Sequence, residues 1–357
     1  MIDLPVRSGS ADNLLGFISM FMWALLSDRV FIKYQSYRLP MIELAYEPAT
    51  FNWLAQHNPI ETRAQCVTYV HENQSHLNTP CDTTPMKVLN TDTRESRPFT
   101  YVAFAFSDDF YREDLRKIPS DGYENELLLP ISSRGYMYQM FNNPHHNETL
   151  KSWGLKQETI FGCFFHYLLR PRDAVCKNDL KGCVLAEAAM LKARSTPNTI
   201  LISVQIRLGG GEMEFECVDQ LVTQYKAQGK AVVYVLMTSN ANVQAMYKQK
   251  YGDSLILPSW TPSTVVDFHH AGDHDNKFSM AKKKRANLDL ARDIYINSLA
   301  DVHVITYSGL GSMTGALRPR DKYFIYRVDI NNATYHRKCN IDEPDSMDSI
   351  STQHSGL

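Results

Sequence analysis

Between residues 199 and 327 the sequence alternates near-continuous apolar runs with helical stripes, and this pattern restricts the fold more than any other feature. Thr199–Ile206 (TILISVQI) is a β-branched run, and Ala231–Met237 (AVVYVLM) is continuously apolar. Strands of that kind are covered on both faces, which is the habit of a parallel sheet with crossover helices. Between them, Glu216–Gln228 carries Val218, Leu221, Val222 and Tyr225 on one helical face and is stopped by Gly229. Thr238 and Ser239 signal the start of a helix that runs to Tyr251. A short strand, Leu255–Pro258, precedes a polar loop to about Lys277. A long helix follows from about Met280 to Leu299, then strands at Val302–Thr306 and Tyr323–Arg327. The fold class is therefore α/β.

Residues 1–195 are less regular. A helix is expected over about Asn13–Ser27, with strands at Arg29–Tyr34 and Phe99–Phe106 and helices near Glu158–Leu169 and Val184–Arg194. The apolar stretch Leu14–Leu26 has 13 residues, too short for ~30 Å of hydrocarbon, and its spacing suits a buried helix. Ser195-Thr196-Pro197-Asn198 reads as a linker, which divides the chain into domains at 1–195 and 196–335. The polar segment 336–357 is expected to be a disordered tail.

With 44% apolar and 21% charged residues in 357, the chain has the material for two cores. Its net charge of −2 provides no field for nucleic acid or an anionic membrane, so no nucleic-acid partner is expected. The seven cysteines form no C-x-x-C pair, which argues against a structural metal. Cys176 and Cys183 either close a small loop in an oxidising compartment or are reduced thiols. Three N-x-S/T sequons, at Asn73, Asn147 and Asn332, permit a lumenal location without requiring one.

In an open parallel sheet, ligands bind beyond the carboxyl ends of the strands. Those ends carry Arg207, Gly209, Gly210 and Gly211, then Thr238-Ser239-Asn240, then Trp260, then Thr306, Tyr307, Ser308, Gly309, Gly311 and Ser312. Glycine lets backbone N–H groups approach an anion, and an arginine fork grips a diphosphate. Taken singly, Gly209–Gly211 also reads as a flexible turn and Arg207 as a surface ion-pair member; together they suit a nucleotide diphosphate. The third glycine of a nicotinamide fingerprint is missing, and no P-loop occurs. Asp273-His274-Asp275 has the form of a D-x-D metal signature but lies in a polar loop. Lys282-Lys283-Lys284-Arg285 reads as a solvated basic face, and His145-His146 as a surface loop.

Several segments resemble the xyloglucan fucosyltransferase family of plant-type glycosyltransferases. Asn13–Val30 (NLLGFISMFMWALLSDRV) is similar to its opening helix, Thr159–Pro171 (TIFGCFFHYLLRP) to its aromatic helix, and Ser203–Arg207 (SVQIR) to its V-G-I-Q-I-R. Ala291–Leu317 resembles its closing segment, with Tyr295, Ser298-Leu299 and Asp301 in place. The resemblance implies a GT-B-like fold of two Rossmann-like α/β domains, with the acceptor side in the first and GDP-fucose at the sheet edge of the second. It implies inverting transfer of L-fucose to a glycan, an oligosaccharide or polysaccharide with a galactose-type hydroxyl, and no cofactor or essential metal. Another nucleotide sugar, or a silent glycan-binding or nucleotide-binding relative, are the alternatives.

Carried over, Arg207 matches the arginine on the donor's β-phosphate, and Ser308 and Gly311 match donor contacts. Gly309 and Leu310 replace a Thr and a Phe, the opening motif's arginine is missing near Asn13-Leu14, and Arg170 replaces a histidine. Asp12 is the first candidate for the general base, with a helix N-cap as its other reading; Asp108 and Asp109 are comparable candidates. The resemblance implies the Golgi lumen behind a membrane anchor. No such segment occurs in this sequence, so the expectation is either that the sequence is incomplete at its start or that this member is soluble and cytoplasmic.

Overall fold

The computed structural model describes residues 2–3, 10–33, 41–54, 67–69, 99–104, 114–117, 127–132, 137–206, 212–238, 240–257, 280–306, 314, 317, 322–326 and 342. The first half contains β1 (Ile2–Asp3), α1 (Ser10–Leu26), β2 (Ile32–Lys33), α2 (Met41–Ala45), β3 (Tyr46–Pro48), β4 (Val67–Tyr69), β5 (Phe99–Phe104), β6 (Leu127–Ser132), α3 (Asn147–Ser152), α4 (Ile160–Leu168), β7 (Leu169–Pro171) and α5 (Cys183–Ser195). Strands β4, β5 and β6 form a parallel sheet in that order, β1 pairs with β2 in parallel, and β3 pairs with β7 antiparallel.

From Leu14 to Leu26, α1 is buried on nearly every side, Leu25 being the exception, as a helix apolar all round must be. Its end accounts for a difference from the sequence reading. Asp28 adopts φ 54°, and the Arg29 N–H reaches back to the Ala24 carbonyl at 2.8 Å. The chain from Ser27 to Val30 thus closes the helix, and the strand expected from Arg29 begins only at Ile32. The helix also starts at Ser10, so Asp12 lies inside the first turn and is not its cap. Strand β6 escaped the sequence reading because Pro130 interrupts its pattern; the proline is tolerated on a strand at the end of its three-stranded sheet.

Trp23 and Trp53 fasten this core with buried indole hydrogen bonds to the carbonyls of Leu115 (3.2 Å) and Leu168 (2.7 Å). His145 is exposed, but His146 is 1% exposed, which corrects the surface-loop reading for that residue. Its Nε2 accepts the Leu115 N–H at 2.9 Å, which requires the neutral ring. Burial holds the His146 pKa down at about 4 against the pull of Asp114, whose carboxylate is 3.6 Å away. The paired Arg116 guanidinium keeps Asp114 itself ionised down to about 2.

The second half contains β8 (Thr199–Ile206), α6 (Glu212–Ala227), β9 (Ala231–Thr238), α7 (Ala241–Tyr251), β10 (Leu255–Ile256), α8 (Met280–Asn297), β11 (Val302–Thr306) and β12 (Lys322–Tyr326). The five strands form one parallel sheet in the order β10-β9-β8-β11-β12. Helix α6 ends as its sequence requires: Gly229 takes φ 74°, and the Lys230 N–H returns to the Tyr225 carbonyl at 3.0 Å. On one face of the sheet, Ile202, Val204 and Ile206 pack with Val218, Leu221 and Tyr247. On the other, Leu201 and Val235 pack with Met190 of α5 and Ile296 of α8. Helix α8 also gives Ala291 and Ile294 to the core around α1.

Cys176 and Cys183 are disulfide-bonded, which decides between the two readings of that pair. Buried Cys217 is also disulfide-bonded, whereas Cys163 is free and exposed. Arg292 of α8 grips the small loop, donating to the carbonyls of Val175 (2.9 Å) and Ala174 (3.2 Å) while pairing with Asp289 at 2.8 Å. Among the described residues no helix is long and apolar enough to cross a membrane.

Two outcomes follow from these contacts. The Cys176→Ser/Cys183→Ser double variant loses about 2–3 kcal/mol of unfolding free energy in urea titration, the loop-closure value for so short a ring. Because the native state keeps His146 neutral while the unfolded chain protonates near 6.5, its contribution is complete above that pH and fades toward pH 4. Stability therefore falls by about 2 kcal/mol between pH 7 and pH 5 on this residue's account. The His146→Gln variant, whose amide oxygen takes the same N–H, shows a smaller fall across that interval.

Candidate functional site

The order β10-β9-β8-β11-β12 has one reversal. The chain enters at β8, moves outward to β9 and β10, and returns through α8 to the opposite side of β8. Ligand crevices in open α/β sheets lie at such a reversal, outside the carboxyl ends of the strands. Here the four long strands end level: Ile206 pairs with Thr238, Gln205 with Ile305, and Thr306 with Tyr326. Thr306 therefore stands beside Ile206, one strand spacing of about 4.8 Å away. The chain leaves these neighbouring ends into the segments that carry Arg207 on one side and Tyr307 on the other.

The structure describes these strand ends and not the segments that follow them. Arg207, Gly209, Gly210, Gly211, Tyr307, Ser308, Gly309, Leu310, Gly311 and Ser312 lie outside the described residues, as do Ser239, Trp260, Asp108, Asp109, Asp273, His274 and Asp275. Of Asp12 and Thr306 the backbone alone is described: the first as the third residue of α1, the second as the last of β11.

Thr238 and Asn240 have structural duties. The Thr238 hydroxyl accepts the Asn240 N–H at 3.2 Å, and the Asn240 side chain caps α7, accepting from the N–H groups of Asn242 (2.9 Å) and Val243 (3.5 Å). The cap directs the positive end of α7 toward the same carboxyl edge.

Residues that the sequence reading passed over lie beneath that edge. Ser203, Gln205 and His303 are buried in β8 and β11, and Asn297 is buried at the end of α8. Ser203 Oγ donates to Asn297 Oδ1 at 2.7 Å, and the Asn297 amide donates to the Asp293 carbonyl at 2.8 Å. The signal was present: Ser203 and Gln205 are polar at alternate positions of an otherwise apolar run, so one face of β8 becomes polar toward its carboxyl end. Because α8 runs antiparallel to the strands, its 18 residues extend about 27 Å back from Asn297. Only about 10 Å of β8 remains beyond Ser203. The first turns of α8 therefore stand at the carboxyl-edge end of the sheet. There Lys284 and Arg285 are exposed, in agreement with a solvated basic face; the side chains of Lys282 and Lys283 are not described. Among the described residues, no three His, Cys, Asp or Glu side chains group as metal ligands.

The residues that carry the resemblance in the last helix also hold the fold. Tyr295 donates to the Glu187 carboxylate, which together with burial pushes its own ionisation upward. Asp301 accepts the Leu201 N–H at 3.1 Å and donates its own N–H to the Leu201 carbonyl at 2.9 Å, which ties the turn before β11 to β8. Arg170 is held across the β3–β7 pair by Glu47 at 2.6 Å.

No protein-family model and no curated protein matches the chain. Among solved structures it is similar to a mutant of Arabidopsis thaliana FUT1 in complex with GDP, with TM-score 0.59 and 16% identity over 91% of this chain and 70% of that one. It is also similar to the fucosyltransferase NodZ from Bradyrhizobium, with TM-score 0.46 and 12% identity over 90% of this chain and 95% of that one. The likeness to the FUT1 structure establishes the GT-B-like α/β fold.

Since the Asn240 carbonyl is committed to α7, the Asn240→Ala variant loses about 1 kcal/mol in chemical denaturation, and the Asn240→Asp variant keeps most of that stability.

Proposed function

We propose that this chain is an inverting fucosyltransferase that moves L-fucose from GDP-fucose to a hydroxyl of an oligosaccharide or polysaccharide. The observation that carries the reading is the level, adjacent ending of β8 and β11 at the sheet's reversal, in a fold shared with a structure that holds GDP. In this reading Arg207 grips the β-phosphate. Glycines 209 and 210 keep the chain close to the diphosphate. Backbone N–H groups of the turn from Thr306 through Tyr307, Ser308, Gly309 and Gly311 to Ser312 complete the cradle. No metal takes part.

The chemistry accounts for the choice of groups. As the acceptor oxygen approaches C1 of fucose from one side, the bond from C1 to the phosphate oxygen breaks on the other, and the configuration inverts. Negative charge gathers on the departing GDP while the sugar passes through an oxocarbenium-like state. A fixed guanidinium and oriented N–H groups bind that charge more strongly in the transition state than in the ground state. The acceptor's proton goes to a carboxylate, for which Asp12 in the first turn of α1 is our candidate. The acceptor side falls to residues 1–195 and the donor side to 196–335.

The Cys176–Cys183 bond supports maturation in an oxidising compartment, as a lumenal enzyme requires. A polar-edged sheet in a GT-B-like fold also suits other nucleotide sugars. Thermal shift with GDP, UDP and ADP separates them, GDP alone being expected to raise the melting temperature. In a GDP-fucose turnover assay with a glycan acceptor, the Arg207→Ala variant is expected to lose roughly 10²–10³ in kcat, the effect of removing one charge-stabilising donor. Parental turnover by that variant would remove Arg207 from the site.

A further inference from the structure

We propose that Tyr167 is the centre of a glycan-stacking platform that holds a pyranose ring of a long acceptor away from the transfer site. The identification of its occupant rests on the glycosyl-transfer reading above. Tyr167 lies on the outer face of α4 and is 45% exposed. Its inner face stacks on Phe21, with ring centres 5.8 Å apart and planes 26° from parallel. Phe51 lies beside both, 6.0 Å from Tyr167 and 5.8 Å from Phe21. Leu25, one turn along α1 from Phe21, is 40% exposed on a helix otherwise buried from Leu14 to Leu26.

The platform is rigid. Phe21 is 3% exposed and meets Phe164 edge-on at 5.3 Å and Phe31 at 5.5 Å, so the ring beneath Tyr167 is locked before any ligand arrives. Little side-chain freedom remains to be lost on binding. The face of an aromatic ring is electron-rich, and a pyranose presents a flat face of weakly positive C–H groups to it.

The surroundings favour a neutral sugar. Three residues beyond Tyr167, Arg170 is paired with Glu47 through both Nε (2.7 Å) and Nη2 (2.6 Å). The cation is thereby neutralised, which disfavours a phosphate or a nucleic acid, while the pair still offers donors and acceptors to hydroxyl groups. His166 and Asn52, the chain neighbours of Tyr167 and Phe51, are exposed. The exposed apolar side chains here, Tyr167 and Leu25 with Val30 just beyond the end of α1, are few and lie among polar groups, which is too little for a protein-docking core. Phe21 stands nine residues along α1 from Asp12, about 14 Å, a span that only an acceptor of several sugar units bridges.

The test uses the whole chain in affinity electrophoresis through gels containing a soluble β-glucan, a galactan or a mannan, together with fucosyl transfer to the retarding polysaccharide and to a simple monosaccharide glycoside. Retardation by at least one polysaccharide is expected. The Tyr167→Ala variant should bind it at least fivefold more weakly and show a KM for the polysaccharide raised at least fivefold. Its kcat, its KM for GDP-fucose and its KM for the monosaccharide glycoside should not change. The Tyr167→Trp variant should keep or strengthen binding. Wild-type protein that no polysaccharide retards, or an alanine variant retarded as strongly as wild type, overturns the proposal. So does an equal rise in both acceptor KM values, or sedimentation showing that the substitution splits a dimer. Tyr167-dependent retardation in a protein that transfers no fucose would leave the platform standing and remove the transferase reading; transfer by wild type with unaltered binding by the variant would do the reverse.

Discussion

The hydrogen-bonded ladder of β8 with its two neighbours is the constraint on which the rest of this molecule depends. Parallel strands cannot be joined by a tight turn, so each crossover must travel back over a face of the sheet, and helices α5, α6, α7 and α8 cover it. A central strand covered on both faces is apolar except where a buried polar side chain finds a partner, and β8 is buried from Leu201 to Ile206 with Ser203 paired to Asn297. Once β9 and β11 are in register on either side of it, their carboxyl ends are level. The level edge of the sheet is thus a by-product of packing.

Helix α8 links that edge to the remainder of the chain. One stripe meets the second sheet through Ile296, another meets the α1 core through Ala291 and Ile294, and Arg292 holds the disulfide loop. Its buried polar residues are paired with care. Ser203 is satisfied by Asn297, and Asp289 pairs with Arg292, although burial still pushes its carboxyl above the usual carboxylate range. Pairs of this kind give the helix one register on the sheet, since a slip would leave buried groups unpaired. The same pairs fix how far the basic start of α8 projects past the strand ends.

The readable parts of the sequence were those in which one local rule dominated. Gly229 announced the end of α6, the β-branched and apolar runs announced β8, β9 and β11, and the apolar stretch from Leu14 announced a buried helix. Misreadings arose where a tertiary partner outweighed local character. His146 looks like a surface residue because histidine follows proline in a polar segment, yet a single backbone N–H from Leu115, 31 positions earlier, makes its burial tolerable. The strand expected at Arg29 gave way to a helix cap that used Asp28 in a left-handed conformation. Strand β6 was hidden by Pro130, whose lost donor matters little at the end of a sheet.

Sequence alone determined the class of fold and the run of strands and helices after residue 199. Those properties follow from side-chain volume, periodicity and glycine content, which are written locally. The tertiary structure decided the strand order, the pairing of Cys176 with Cys183, and the exposure of Tyr167 over a locked Phe21. Each of these joins positions remote in the chain or picks one of several partners of equal local merit. The choice is made by which arrangement buries the most apolar surface while leaving the fewest polar groups without a partner.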